Sequence, residues 1–403
     1  MKPELLSPAG DMEKLKFAVH FGADAVYLAG KAFGMRTASA NFTDNELKDA
    51  VEYAHQRGVK VYVALNVLPR NSDLSALPAF LELLSELSAD AVIVSDLGVL
   101  ALSKRYAPEI PVHVSTQASV VNYESARMWH SLGASRVVLA RELSLSEIRE
   151  IRDKTPRGLS LEGFSHGAMC MAYSGRCLLS QYMASRDPNR GNCAQACRWK
   201  YRLVEELRPG QYIPVFEDER GTFLFNSKDL CMLDHIPEMA DAGLNSLKIE
   251  GRVKTAYYAA AVTNAYRRAI DLYEKGHRGP LPEELRSEVL KVSHREYYTG
   301  FYFGGDVGQN YADPTPIREW DVAAVVDACG EDALALCTQK NRFFKGDTLE
   351  LLEPRKPACE FSVTELYDGD LTPILSAPHP EMKLRLRLPA KVGPMAILRR
   401  KRN

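Results

Sequence analysis

Over its first 250 residues the chain alternates short runs rich in Val, Ile, Leu and Ala with amphipathic stretches of helical period, and this alternation restricts the possible folds more than any other feature. Apolar runs begin near 4–6, 23–28, 59–65, 89–94, 112–116, 136–140, 159–164 and 246–249, and helical segments fill the gaps between the first seven. Thr43 with Glu46, and Ser144 with Glu147, have the spacing of capping boxes and set the starts of two of these helices. Eight βα units predict an α/β chain folded as a (β/α)8 TIM-like barrel, in which working groups stand at the C-terminal ends of the strands. The expected division is a barrel over 1–275, a linker and helical segment over 276–313, and from 314 to 403 a small β-barrel or sandwich of short alternating runs. The last residues, Arg399, Arg400, Lys401 and Arg402, read as a basic tail, better explained by solvation than by contact with RNA phosphate.

The seventh unit breaks the pattern. About 80 residues separate the seventh and eighth apolar runs, far more than a βα connection needs, so the barrel carries an insertion at about 166–244 before its last strand. Cys170, Cys177, Cys193 and Cys197 all lie there, spaced C-x6-C and C-x3-C among Gly, Arg, Ser and Asn. Thiols so grouped suit a soft metal; on the residues alone zinc and an iron–sulfur cluster stand level, although structural zinc sites favour C-x2-C pairs. Cys329, Cys337 and Cys359 have no partner spacing and read as small buried hydrophobes, and Cys231 as a weak further candidate ligand. The chain lacks an apolar run of bilayer length, and its N-terminus does not read as a signal peptide, so a cytoplasmic protein with no membrane partner is expected. A formal net charge of −1 neither favours nor excludes a nucleic-acid partner.

Polar residues at the predicted strand ends are Ser7, Asn66, Asp96, Gln117, Arg141, Glu142, His166, Lys248, Glu250 and Arg252. Each has a bland reading as a strand-end hydrogen-bonder or helix cap. Lys248, Glu250 and Arg252 form the strongest subset, because alternation puts all three on one strand face where a barrel interior ends. Arg198 to Arg202 interleave basic and aromatic residues, a pattern that suits either RNA stacking or a solvated strand.

The run EGFSHGAMCMAYSGRCLLS at 162–180 closely resembles the signature of the U32 family, long catalogued as peptidases. The likeness continues in RDPNRGNC (186–193), ACRW (196–199), FEDE (216–219), NSKDL (226–230), SLKIEGR (246–252), PELLSPAG (3–10) and STQA (115–118), covering almost the whole chain. Within the family the resemblance is nearest to the prephenate-dependent tRNA uridine hydroxylases that make 5-hydroxyuridine at wobble position 34. It implies a [4Fe–4S] cluster on Cys170, Cys177, Cys193 and Cys197, with amides near Gly167, Gly175 and Gly191 directed at the sulfurs. It further implies prephenate as cosubstrate, a tRNA anticodon loop as RNA partner and dependence on iron–sulfur assembly machinery, while the strand-end positions make Lys248, Glu250, Arg252, His166 and Gln117 the catalytic candidates. Lys248 and Arg252 would grip the dicarboxylate.

Three alternatives follow: hydroxylation of 23S ribosomal RNA, a non-catalytic scaffold, and a collagenase-like U32 peptidase. The peptidase reading lacks an HExxH or GxSxG motif and would rest on His166 and Cys170, four residues apart and adjacent only if that stretch is helical.

Overall fold

The chain is described from a computed structural model covering residues 2–31, 33–34, 40–170, 172–199, 217–218, 221–222, 228–304 and 316–402. All eight expected apolar runs form parallel strands: β1 (Glu4–Pro8), β2 (Ala25–Leu28), β3 (Lys60–Leu65), β4 (Ala91–Val94), β5 (Val112–Val114), β6 (Ala134–Val138), β7 (Ser160–Ala168) and, after an intervening β8 (Asp229–Cys231), β9 (Ser246–Ile249). Each pairs with its predecessor, and β9 pairs with both β7 and β1, closing the barrel. Outside it lie α1 (Met12–His20), α2 (Asp44–His55), α3 (Leu77–Glu86), α4 (Leu97–Tyr106), α5 (Tyr123–Ser131) and α6 (Leu145–Lys154), joined after the insertion by α8 (Ile236–Asp241) and α9 (Ala256–Glu274); α7 (Leu179–Ala184) belongs to the insertion. Both expected capping boxes form. The Thr43 and Ser144 amides donate to Glu46 and Glu147 at 2.8 Å, an arrangement worth about 1 kcal/mol at each helix start.

The barrel interior is partly charged, an uncommon content for a packed (β/α)8 core. Apolar packing there comes from Leu6, Ala25, Tyr27, Tyr62, Ala91 and Ile93. Among them Arg136 Nη1 donates to Glu4 at 2.6 Å and to Glu162 at 3.0 Å, and Lys248 Nζ donates to the other Glu162 oxygen at 3.0 Å. Alternation along β7 and β9 produces this. Glu162 with Phe164, and Ser246 with Lys248, point inward while Leu161, Leu247 and Ile249 join the core beneath the helices.

Two stretches differ from their sequence expectation. The described part of the 276–313 segment, up to 304, is built into the barrel body: α10 (Glu283–Glu288), the helix expected there, packs on α9, and β10 (Tyr297–Tyr298) pairs with β8, itself antiparallel to the end of β7. The basic tail is also no tail. It forms β17 (Ile397–Lys401) in an antiparallel sheet with β11 (Trp320–Cys329), β12 (Leu334–Gln339), β13 (Thr348–Leu352), β14 (Cys359–Ser362), β15 (Leu366–Asp368) and β16 (Lys383–Arg387), ordered β14-β13-β17-β11-β12-β16-β15. Arg399 is fully buried at the face of this sheet that meets the barrel, bonded to Glu288 at 2.6 Å, Glu350 at 2.7 Å and the Tyr257 hydroxyl at 3.2 Å. Run-length reading missed this because those carboxylates come from distant segments. Cys337 is buried as expected, whereas Cys359 is exposed on the sheet edge.

Candidate active site

A cavity of about 520 Å3 opens at the C-terminal end of the barrel strands, within the size range of small-molecule sites. Its floor is the top of the charged column. Lys248 Nζ lies 4.3 Å from the Tyr27 ring; the Tyr27 hydroxyl donates to Glu250 at 3.2 Å, and Arg141 stands 3.9 Å from the same carboxylate. Arg141 also stacks 3.8 Å over Phe164 and donates to the Ala168 carbonyl at 2.7 Å. Arg252, Lys254 and Arg295 complete a wall with five cationic side chains and the single carboxylate of Glu250. Such a wall favours an anion with more than one negative charge.

Burial sets the protonation of the column. It would raise the Glu162 carboxyl, but the charges of Lys248 and Arg136 outweigh it and hold the group down at about 2. The same burial pulls the Lys248 ammonium below its usual value even with Glu162 beside it. A register shift between Lys248 and Ile249 on β9 turns the chain as it leaves the sheet, so Glu250 and Arg252 follow Lys248 to the cavity wall. Gly167, at φ +108°, is required here: a Cβ would stand 2.4 Å from the Glu250 carbonyl oxygen.

The insertion forms the opposite wall and brings Cys170, Cys177, Cys193 and Cys197 to the same cavity. It is fastened to the barrel mouth at several points. Arg190 grips Asp73 with two 3.0 Å contacts, the Asn189 carbonyl accepts from the Leu68 amide at 3.2 Å, and Arg176 donates to Ser119 at 3.2 Å. Asn189 Nδ2 donates to the Cys177 carbonyl at 3.0 Å, and the Gln195 amide to the Cys193 sulfur at 3.3 Å. Among the described residues no three Cys, His, Asp or Glu side chains converge as on one ion; the thiols are instead spread round one cavity. All four thiols line one cavity and the Gln195 amide donates to one of the sulfurs, a donor set chemically suited to a soft metal or an iron–sulfur cluster.

Of the sequence candidates, Lys248, Glu250, Arg252, Gln117, Asn66, Arg141 and the four cysteines line this cavity. His166 does not. β7 runs straight through it, and the imidazole is buried between the Tyr266 hydroxyl (3.4 Å) and the Tyr297 hydroxyl (3.2 Å), where burial lowers its pKa to about 3. The helix that would join His166 to Cys170 is absent there: His166 lies on a strand that ends at Ala168 and its ring is enclosed by Tyr266 and Tyr297, whereas Cys170 lines the cavity. The Cys–His nucleophile pair is therefore not formed. Ser7 bonds Thr263, and Asp96 caps α4, both bland roles. Cys231 pairs with His166 on β8 away from the cavity wall, and burial pushes its thiol up to about 11. Lys200, Tyr201 and Arg202, with Phe216, Glu219, Asn226 and Ser227, lie outside the described residues.

Tyr27, Lys254 and Arg295 line the cavity without having been singled out from sequence. Arg295 carried one indirect signal. Asp229, within the NSKDL motif, accepts from the Arg295 amide at 3.1 Å and stands 3.8 Å from its guanidinium.

The family model described as Peptidase family U32 matches residues 10–311, and that of the U32 C-terminal domain matches 318–399. The chain belongs to peptidase family U32. Among its curated U32 relatives is "tRNA hydroxylation protein P1" of Bacillus subtilis (strain 168), 37% identical over 403 residues, 99% of this chain and 95% of that protein. "tRNA hydroxylation protein P" of Escherichia coli (strain K12) is 38% identical, covering 88% of this chain and 87% of its own. "23S rRNA 5-hydroxycytidine C2501 synthase" of the same organism is 37% identical over 66% of this chain but only 39% of its own length. Among the described residues no helix is long and apolar enough to cross a membrane.

Proposed function

We propose that this U32 chain is an RNA hydroxylase acting on tRNA, which converts the wobble uridine to 5-hydroxyuridine with a [4Fe–4S] cluster on Cys170, Cys177, Cys193 and Cys197 and prephenate as cosubstrate. The observation that carries the reading is that four thiols and five cations face one another across a single cavity. The two relatives named for tRNA hydroxylation match this chain nearly end to end, whereas the ribosomal relative matches over a minor part of its own length, which favours tRNA as substrate.

A bound cluster supplies one-electron chemistry beside the cavity. The remaining work falls to side chains. Lys248, Arg252 and Arg141 hold the two carboxylates of the cosubstrate, with Glu250 orienting Arg141. Phe164 and Tyr27 exclude water from the floor, and the amides of Asn66 and Gln117 offer the donor and acceptor pair that the edge of an unstacked uracil requires. Peptide hydrolysis is disfavoured by the separation of His166 from Cys170.

The test is anaerobic purification with a visible spectrum and metal analysis of the wild type, Cys170→Ser and Cys197→Ser, followed by nucleoside mass spectrometry of tRNA from cells lacking and re-expressing the gene. Broad absorption toward the blue with iron lost in both variants, and 5-hydroxyuridine that depends on the gene, support the reading. Zinc alone, or unchanged nucleosides, rejects it.

A further inference from the structure

The insertion also presents an outward surface that the chemistry above does not use. On α7, Leu179 lines the cavity, and Tyr182 and Met183, three and four residues on, lie towards its side of the helix outside the cavity lining. Ser180, about 160° round the helix from Tyr182, is buried and its Oγ accepts from the Ala194 amide at 2.8 Å, which anchors the helix behind Tyr182. Tyr182 is 82% exposed, a high value for a tyrosine on a helix that is pinned from behind. Tyr173, 44% exposed, lines the cavity itself, and Trp199, 42% exposed, follows the last of the four cysteines. Cations stand among these rings: Arg176 and Arg186 are both exposed, Arg176 tied to Ser119 on the barrel and Arg186 to Asn192.

We infer that this aromatic and basic face of the insertion is a binding platform for single-stranded RNA, stacking the nucleotides that flank the base held in the cavity. The inference rests on the proposed RNA substrate and deepens it by assigning the surface that grips the loop. Rings at the rim provide π-faces that accept any base, and the arginines match the backbone charge, the combination that binds unpaired strands without reading their sequence. Paired RNA cannot offer its bases to such rings. The position also answers a geometric need, since a flipped base is held only if its neighbours are kept beside the opening. Leu179 and Tyr173 join the platform to the cavity, so flanking nucleotides stacked outside keep the target within reach.

The experiment uses the full-length, cluster-loaded protein and two fluorescein-labelled RNAs: an unmodified anticodon stem-loop and a fully paired duplex of the same composition. Binding is followed by anisotropy over a range of salt for the wild type, Tyr182→Ala, Tyr182→Phe and Arg176→Gln, each checked for wild-type iron content and thermal melting. The wild type is expected to prefer the stem-loop. Tyr182→Ala should weaken stem-loop binding about fivefold or more, the loss of one stacked base, with Tyr182→Phe near the wild type. Arg176→Gln should weaken binding and flatten its salt dependence. Wild-type binding of the stem-loop by both Tyr182→Ala and Arg176→Gln overturns the platform and leaves the RNA substrate standing. A wild type that binds neither RNA overturns the functional reading itself. Conversion of a wild-type dimer to a monomer by Tyr182→Ala, seen by sedimentation, would make this face a self-interface and also overturn the platform.

Discussion

Replacing Glu162 by Gln removes the one negative charge between Arg136 and Lys248 while keeping the side chain's size. Glu162 is 1% exposed and lies 3.0 Å from each cation, and these hold its carboxyl at about 2 against an ordinary value of 4.5. At about 1.4 kcal/mol per unit, that difference corresponds to about 3 kcal/mol of folding stability at neutral pH. Breaking a buried ion pair by removing one partner costs roughly 3–5 kcal/mol, so two independent arguments agree. The lower end is expected, because Arg136 keeps Glu4 at 2.6 Å and only Lys248 is left with ring faces and the more distant Glu250. The pH sign follows from the depressed carboxyl. Its stabilisation is fully present above about 4.5 and is lost as pH falls through about 2, so the gap between wild type and Glu162→Gln should close over that window. Urea unfolding at stepped pH measures this, and Glu162→Gln combined with Lys248→Met should be milder than Glu162→Gln alone, since no buried charge is then left exposed to an apolar core. A Glu162→Gln protein within about 1 kcal/mol of the wild type at neutral pH, or a double variant as unstable as the sum of the singles, would refute the reasoning.

Other outcomes follow from the same geometry. Burial lowers the pKa of both His113 and His166 to about 3, so each is folded in its neutral form and stability should decline as pH falls below the ordinary 6.5; His113→Gln should make that decline shallower in urea titrations. Because His166 stays neutral across the physiological range, His166→Gln should leave the pH profile of turnover between about 6 and 8 unchanged in shape, and a displaced limb would contradict its placement. Gly167→Ala meets the Glu250 carbonyl and a left-handed φ together, and should lower the melting temperature and weaken dicarboxylate binding measured by calorimetry. Arg399→Met leaves Lys291 as the remaining cation beside Glu288 (3.2 Å) and Glu350 (2.9 Å) at the sheet–barrel boundary and should lower stability, read as an earlier transition in scanning calorimetry.

The barrel was legible in the sequence because local rules write it: β-branched runs at βα spacing and the Thr43 and Ser144 caps are all set by residues within a few positions of one another. The cysteines and the SLKIEGR run were legible for a similar reason, since their types and spacing already limit what they can hold. His166 was misplaced because a strand end cannot be located to within two residues from pattern alone; β7 runs on to Ala168 by pairing with β8, whose partner lies 60 residues downstream. The Arg399 tail was misread on the same ground. Its strand character shows in no local period, and its counter-charges sit at 288 and 350.

By itself, then, the sequence determined the fold class, the insertion and the grouping of its thiols, all consequences of residues close together along the chain. Only the tertiary structure decided that the thiols and the cations of Arg141, Lys248, Arg252, Lys254 and Arg295 face one cavity, because closing the barrel joins strand ends that the chain separates by over a hundred residues, and long-range burial, not local propensity, selects which of them meet.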